Sequence, residues 1–128
     1  MRPSSSRPAP RIPERIVAPW NWSAFLDEFT TEVAGSPVVV DVSAYGMRHA
    51  VVARGILEVM LFDERGDVVE IAVQIPAPGR PSLLRHHVSE PLSISTDAEG
   101  LRPTTLRVEG TDGRITQVQA LPSPAFGG

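Results

Sequence analysis

The sequence predicts an α+β domain in which one N-terminal amphipathic helix packs on an antiparallel β-meander of six to eight strands, forming a curved sheet or a half-open barrel. Three observations carry this. An apolar stripe of helical period runs from Trp22 to Val33, the pattern changes to period two from Val38 onward, and glycine-bearing turns punctuate the rest of the chain.

The helix comes first. Trp22, Phe25, Leu26, Phe29 and Val33 fall at i, i+3, i+4, i+7 and i+11, while Ser23, Asp27, Glu28, Thr31 and Glu32 occupy the opposite face. Asn21 or Ser23 can accept the free N–H groups of the first turn, Gly35 can take the left-handed conformation that ends a helix, and Pro37 cannot continue it. These signals place the helix at 22–34. Asn21-Trp22-Ser23 also matches an N-glycosylation pattern, but at a helix start Asn21 reads as a cap.

Strands follow. Val38, Val40 and Val42 alternate with Val39, Asp41 and Ser43, and AYGM then turns the chain into HAVVA at 49–53. ILEVMLF at 56–62 and VVEIAVQI at 68–75 flank DERGD, where Gly66 suits the left-handed position of a three-residue loop. Such an odd loop would set Leu57, Val59 and Leu61 against Val69, Ile71 and Val73. PAPGRPS at 76–82 interrupts the sheet, because proline cannot donate ladder hydrogen bonds, and stands out as an exposed loop. Shorter strands are expected in SLLRHHV and PLSIST. A last hairpin, TTLRVE to RITQVQAL, should match Leu106 and Val108 to Val118 and Thr116 across an odd loop with Gly113 left-handed.

Residues 1–11 read as a flexible Pro/Ser/Arg-rich arm, 12–121 as a single domain and 122–128 as a loose tail. The first 19 residues hold five prolines, three serines and four arginines, too little apolar surface to offset the entropy of ordering. Ile12, Ile16, Val17 and Trp20 then turn the composition apolar, so the fold should begin near residue 12.

Composition removes several function classes. No apolar run approaches the roughly 20 residues needed to cross a bilayer, and the basic N-terminus lacks the apolar core of a secretory signal, so cytoplasmic residence is expected. With no cysteine there are no disulfides, thiolate metal sites or thiol nucleophiles. All twelve basic residues are Arg. Charge is uneven: residues 1–19 carry four Arg against one Glu, and the remainder eight Arg against fourteen acids, within a net charge of −3.

Catalytic motifs are sparse. The chain has no G-x-x-x-x-G-K-[ST], no G-x-G-x-x-G after a strand and no G-x-S-x-G elbow. His86 and His87 are candidate ligands or proton carriers, but neighbours on a strand point to opposite faces and cannot readily clamp one ion. His49 has no partner at metal-binding spacing. Glu58 and Glu70 are expected on one sheet face across the second hairpin, a pairing that can divide acid and base roles but more commonly marks two solvated carboxylates. No cofactor and no metal is expected.

The most informative surface expectation concerns Met60, Phe62, Val68 and Ala72, which on this register share a face with Glu58 and Glu70. Such a mixed face is either covered by the chain's own later strands or used to bind another subunit. Arg2, Arg7, Arg11 and Arg15 form a second candidate contact, for an acidic protein, an anionic lipid or nucleic acid. Four arginines without aromatic interleaving carry little nucleic-acid signal.

R-I-P at 11–13, W-S-A-F-L-D-E-F at 22–29, the Gly35 break, V-V-V-D-V and the meander ending in E-G-T-D-G together make the chain resemble a family of small uncharacterised bacterial proteins, a domain of unknown function spanning 11–121. The resemblance implies a bacterial cytoplasmic setting and supplies no mechanism or catalytic residues.

The expectation is therefore a non-enzymatic binding or accessory module, a subunit of or adaptor to a larger protein assembly or a homo-oligomer. It would use Arg2, Arg7, Arg11 and Arg15 of the arm region and a face containing Met60, Phe62 and Val68. The alternatives are a small ligand-binding barrel or enzyme with a site near His86, His87 and the 76–82 loop, and a nucleic-acid binder acting through the arginines.

Overall fold

The structure is a computed structural model that describes residues 14–97 and 104–121. Arg2, Arg7 and Arg11, with the rest of the arm and the C-terminal tail beyond Leu121, lie outside the described residues. The elements are β1 (Glu14–Val17), a 3₁₀ turn at Pro19–Asn21, α1 (Trp22–Val33), β2 (Pro37–Ala44), β3 (Met47–Asp63), β4 (Val68–Ile75), β5 (Ser82–Ser89), β6 (Pro91–Asp97), β7 (Thr105–Gly110) and β8 (Ile115–Ala120). The eight strands form one sheet in the order β1-β6-β7-β8-β2-β3-β4-β5, every neighbouring pair antiparallel. The fold is thus α+β, a helix followed by a strand meander, with the sheet left open.

The whole apolar stripe of α1 is buried, from Trp22 to Val33. Gly35 takes φ +84°, which ends the helix as the sequence requires. Asn21 occupies the cap position but makes no side-chain capping bond. The chain enters the helix through the 3₁₀ turn, and the Trp22 indole donates to Val17 O at 3.0 Å, tying α1 to β1.

The two strands expected at 49–53 and 56–62 are one long strand, β3. It pairs with β2 over its first part and with β4 over its last, and Ile56 alone is common to both ladders. Bulges opposite Val39 and beside Val40 let β3 change partners. Gly55, paired with Val38 just beyond these bulges, stands where there is no room for a side chain: a Cβ there would overlap Val73 Cγ1 and stand 2.9 Å from Gln74 O.

A further bulge at Glu58 corrects the expected register of the β3–β4 hairpin. Leu57 does face Val73, but beyond the bulge Met60 faces Ile71, Phe62 faces Val69, and Val59 and Leu61 move to the other side with Ala72 and Glu70. The loop is accordingly the even-length 64–67, and Asp67 rather than Gly66 takes the positive φ, +53°. The last hairpin has its expected register, with Leu106 opposite Val118, Val108 opposite Thr116, and Gly113 at φ +84°.

Helix α1 lies along β3 where β2 no longer pairs with it. The Thr30 hydroxyl accepts the Met60 N–H at 2.9 Å and donates to Met60 O at 3.1 Å, so one side chain satisfies both backbone groups of an unpaired strand edge. Gly35 N–H donates to Leu57 O and Leu57 N–H to Ser36 O, extending the seam. Beneath it Met60 is fully buried, and Phe62 packs edge-on against Trp22 with ring centroids 5.3 Å apart. The apolar strip of β3 is therefore covered by the chain's own helix, where later strands were expected to cover it. Val68, half-buried, stands on the opposite side of the sheet with Glu70 and Ala72.

The sheet also curls. β5 is one edge and β6 lies beside the other, yet Glu90 alone joins them, at φ +51°. Glu90 N–H donates to Asp67 O and its carbonyl accepts from Thr111 N–H, which pins the corner to the turns before β4 and β8. Here Val88 lies directly against Gly110, and the two halves of the sheet face each other across the core.

Candidate functional site

A cleft of about 580 Å³ opens between the two halves of the curled sheet. Its walls come from three parts of the chain: Val42, Ala44, Met47, His49 and Val51 of the β2–β3 hairpin, His86 to Ser89 of β5, and Asp112, Arg114 and Thr116 around the start of β8. Strand register explains the convergence. Val42 pairs with His49 on one side and Thr116 on the other, so these three side chains stand in one row across the sheet. β5 then faces that row, and His86 Nε2 lies 3.2 Å from the Thr116 hydroxyl.

The cleft is apolar with a few polar groups, the usual make-up of a small-molecule site, and its volume falls within the usual range. Burial, aided by the neighbouring His87, pushes the pKa of His86 below the ordinary 6.5, so the imidazole is neutral at neutral pH. Thr116 is buried and can donate to or accept from whichever ring tautomer is present. His49 lines the opposite wall, and its imidazole has no hydrogen-bond partner among the described residues. At the rim, Asp112 Oδ1 accepts the Arg114 N–H at 3.0 Å, and the Arg114 guanidinium stands 3.9 Å from Asp112 Oδ2 with both side chains largely exposed. Tyr45, at the hairpin tip with φ +54°, is 94% exposed beside the opening.

The imidazoles of His86 and His87 take different partners, as the strand alternation predicts. His87 borders the cleft, but its ring Nε2 lies 3.2 Å from Glu70 Oε1, where Arg85 approaches the same carboxylate at 3.9 Å. Glu58 accepts instead from Gln74 Nε2 at 3.2 Å, so the two carboxylates have separate partners. Among the described residues no carboxylate orients His86, and no cluster of three His, Asp or Glu is placed to hold a metal.

The other expected site residues are scattered. Arg15 is exposed on β1 and borders grooves shared with α1. Met60 and Phe62 lie under α1, away from Val68 on the other side of the sheet. None of residues 76–82 lines the cleft, so that loop does not belong with His86. Sequence reasoning set His49 aside and missed Val42, Arg114 and Thr116. Inward parity of Val42 and Thr116 was readable, but no local signal reports that β5 crosses over their row.

Among the described residues no helix is long and apolar enough to cross a membrane. Compared with protein-family models, curated proteins and solved structures, the chain gives no match.

Proposed function

We propose that the chain is a non-enzymatic binding module of a bacterial cytoplasm whose ligand site is the cleft between β5 and the β2–β8 row. The observation that supports this is the half-open, mainly apolar cleft with His86 and Thr116 joined inside it. A compact apolar molecule entering the cleft would remove both itself and Val42, Ala44 and Val51 from water, at roughly 25 cal/mol per Å² of apolar surface. The neutral imidazole and the hydroxyl would orient it. Titration with N-phenyl-1-naphthylamine, a neutral dye that fluoresces in apolar surroundings, tests the reading. Saturable enhancement is expected, and Ala44→Trp, which fills the cleft, should lower affinity at least about tenfold, a loss near 1.4 kcal/mol. Equal binding by both proteins would overturn it.

A second reading, an accessory subunit that docks on a protein partner, draws support from Tyr45 and Met47, which are 94% and 62% exposed on the same projecting hairpin. Concentration-dependent association in sedimentation that Tyr45→Ser removes would favour that role.

A further inference from the structure

We infer that the ligand of the cleft is an apolar molecule carrying a carboxylate, held at its charged end by Arg114. This rests on the cleft being a ligand site at all. The charged and polar groups around the opening are unbalanced in a particular way. Arg114 is a permanent cation and His49, His86 and His87 carry ring nitrogens that can donate, whereas the one acid in the lining is Asp112. That acid already has a structural task, since its Oδ1 accepts the Arg114 N–H and holds the β7–β8 turn. Its ion pair with the Arg114 side chain is long, at 3.9 Å, and exposed on both sides, so it contributes little and leaves most guanidinium donors free to be recruited.

The rest of the chain carries its acids elsewhere. Asp27, Glu28 and Glu32 lie on the outer face of α1, and Glu58 and Glu70 lie outside the cleft lining with Gln74 and Arg85. In a chain of net charge −3, the mouth of the cleft is therefore a local island of donors. A guanidinium fork at the rim of an apolar slot matches a planar carboxylate, which it can grip through two parallel N–H groups, while the apolar body enters between Val42, Val51 and Val88. A cationic ligand would meet Arg114, and a fully apolar one would leave the guanidinium unused.

The test compares two molecules of nearly the same shape, 1-naphthaleneacetic acid and 1-naphthaleneacetamide, as competitors of N-phenyl-1-naphthylamine on the full chain near neutral pH. The acid should displace the dye at least about tenfold more effectively than the amide, and added salt should narrow the gap. Arg114→Gln keeps the backbone N–H that Asp112 accepts, and should bring the acid down to the amide without changing the amide. Equal displacement by acid and amide, or a preference for the acid that survives Arg114→Gln, would overturn the inference while leaving the cleft a binding site. Failure of the dye itself to bind would remove the underlying reading, and the inference with it.

Discussion

His86 joins β5 to β8 through the Thr116 hydroxyl, and its environment opposes a charge. Because burial, then His87, lowers its folded pKa, the unfolded chain binds a proton that the folded chain resists. The stability linked to His86 is therefore fully present above 6.5, the ordinary value, and is lost as pH falls through the lower folded pKa. His86→Gln keeps a hydrogen-bonding group but cannot titrate. Urea unfolding of the wild-type protein should show stability declining as pH drops below about 6.5, and the variant should show a flatter profile over that interval. Parallel profiles would mean that another group governs the decline. Asp97 has the same sign in a more acid window. Its burial acts to raise the pKa, but hydrogen bonds from Thr104, Thr105 and Thr96 outweigh this and hold it below the ordinary 3.8. By accepting the Thr104 and Thr105 N–H groups at 3.0 and 3.1 Å, the carboxylate fixes where the chain re-enters the sheet at β7.

At the scale of elements, α1 does two things for β3. Leu26 and Phe29 are fully buried and fill the core, each worth roughly 1.5–3 kcal/mol of apolar transfer, while Thr30 closes the backbone edge at Met60. Thr30→Val preserves shape and removes the hydroxyl, leaving a buried N–H and C=O without their partner. It should cost about 1–3 kcal/mol in equilibrium unfolding, whereas Thr31→Val, whose hydroxyl only donates to Asp27 O on the exposed helix surface, should cost well under 1 kcal/mol. Similar losses at both positions would show that the strand edge does not depend on the hydroxyl. The helix itself was legible because its stripe, its glycine stop and its proline all lie within one short segment. The role of Thr30 was not, since it depends on β2 leaving β3 at Ile56 and so exposing the edge at Met60, thirty residues along the chain from Thr30. For the same reason the register of the β3–β4 hairpin was misread: parity predicts a face only while the strand is regular, and nothing local announces the bulge at Glu58. The last hairpin lacks such a bulge, and there parity and Gly113 sufficed.

For the whole molecule, strand order decides where the site lies. Alternation can name the inward residues of each strand, as it did for Val40, Val42, Thr116 and Val118, but the fold of the sheet onto itself depends on Glu90 acting as a one-residue corner between two edges. Its left-handed backbone carries no glycine or asparagine signal, so the crossing that brings His86 to Thr116 was hidden. The same topology says how much of the chain the fold requires. The buried core runs from Val17 to Val118, and β1 is tied in by its ladder to β6 and by the Trp22 indole on Val17 O. Deleting residues 2–11 removes three arginines and none of those contacts. A loss of 1 kcal/mol in a domain of this size lowers Tm by about 4–8 °C, so the truncated protein should melt within about 2 °C of the full chain and bind N-phenyl-1-naphthylamine equally well. A larger drop in Tm would place the arm in the folded body, and loss of dye binding at unchanged Tm would make it part of the cleft.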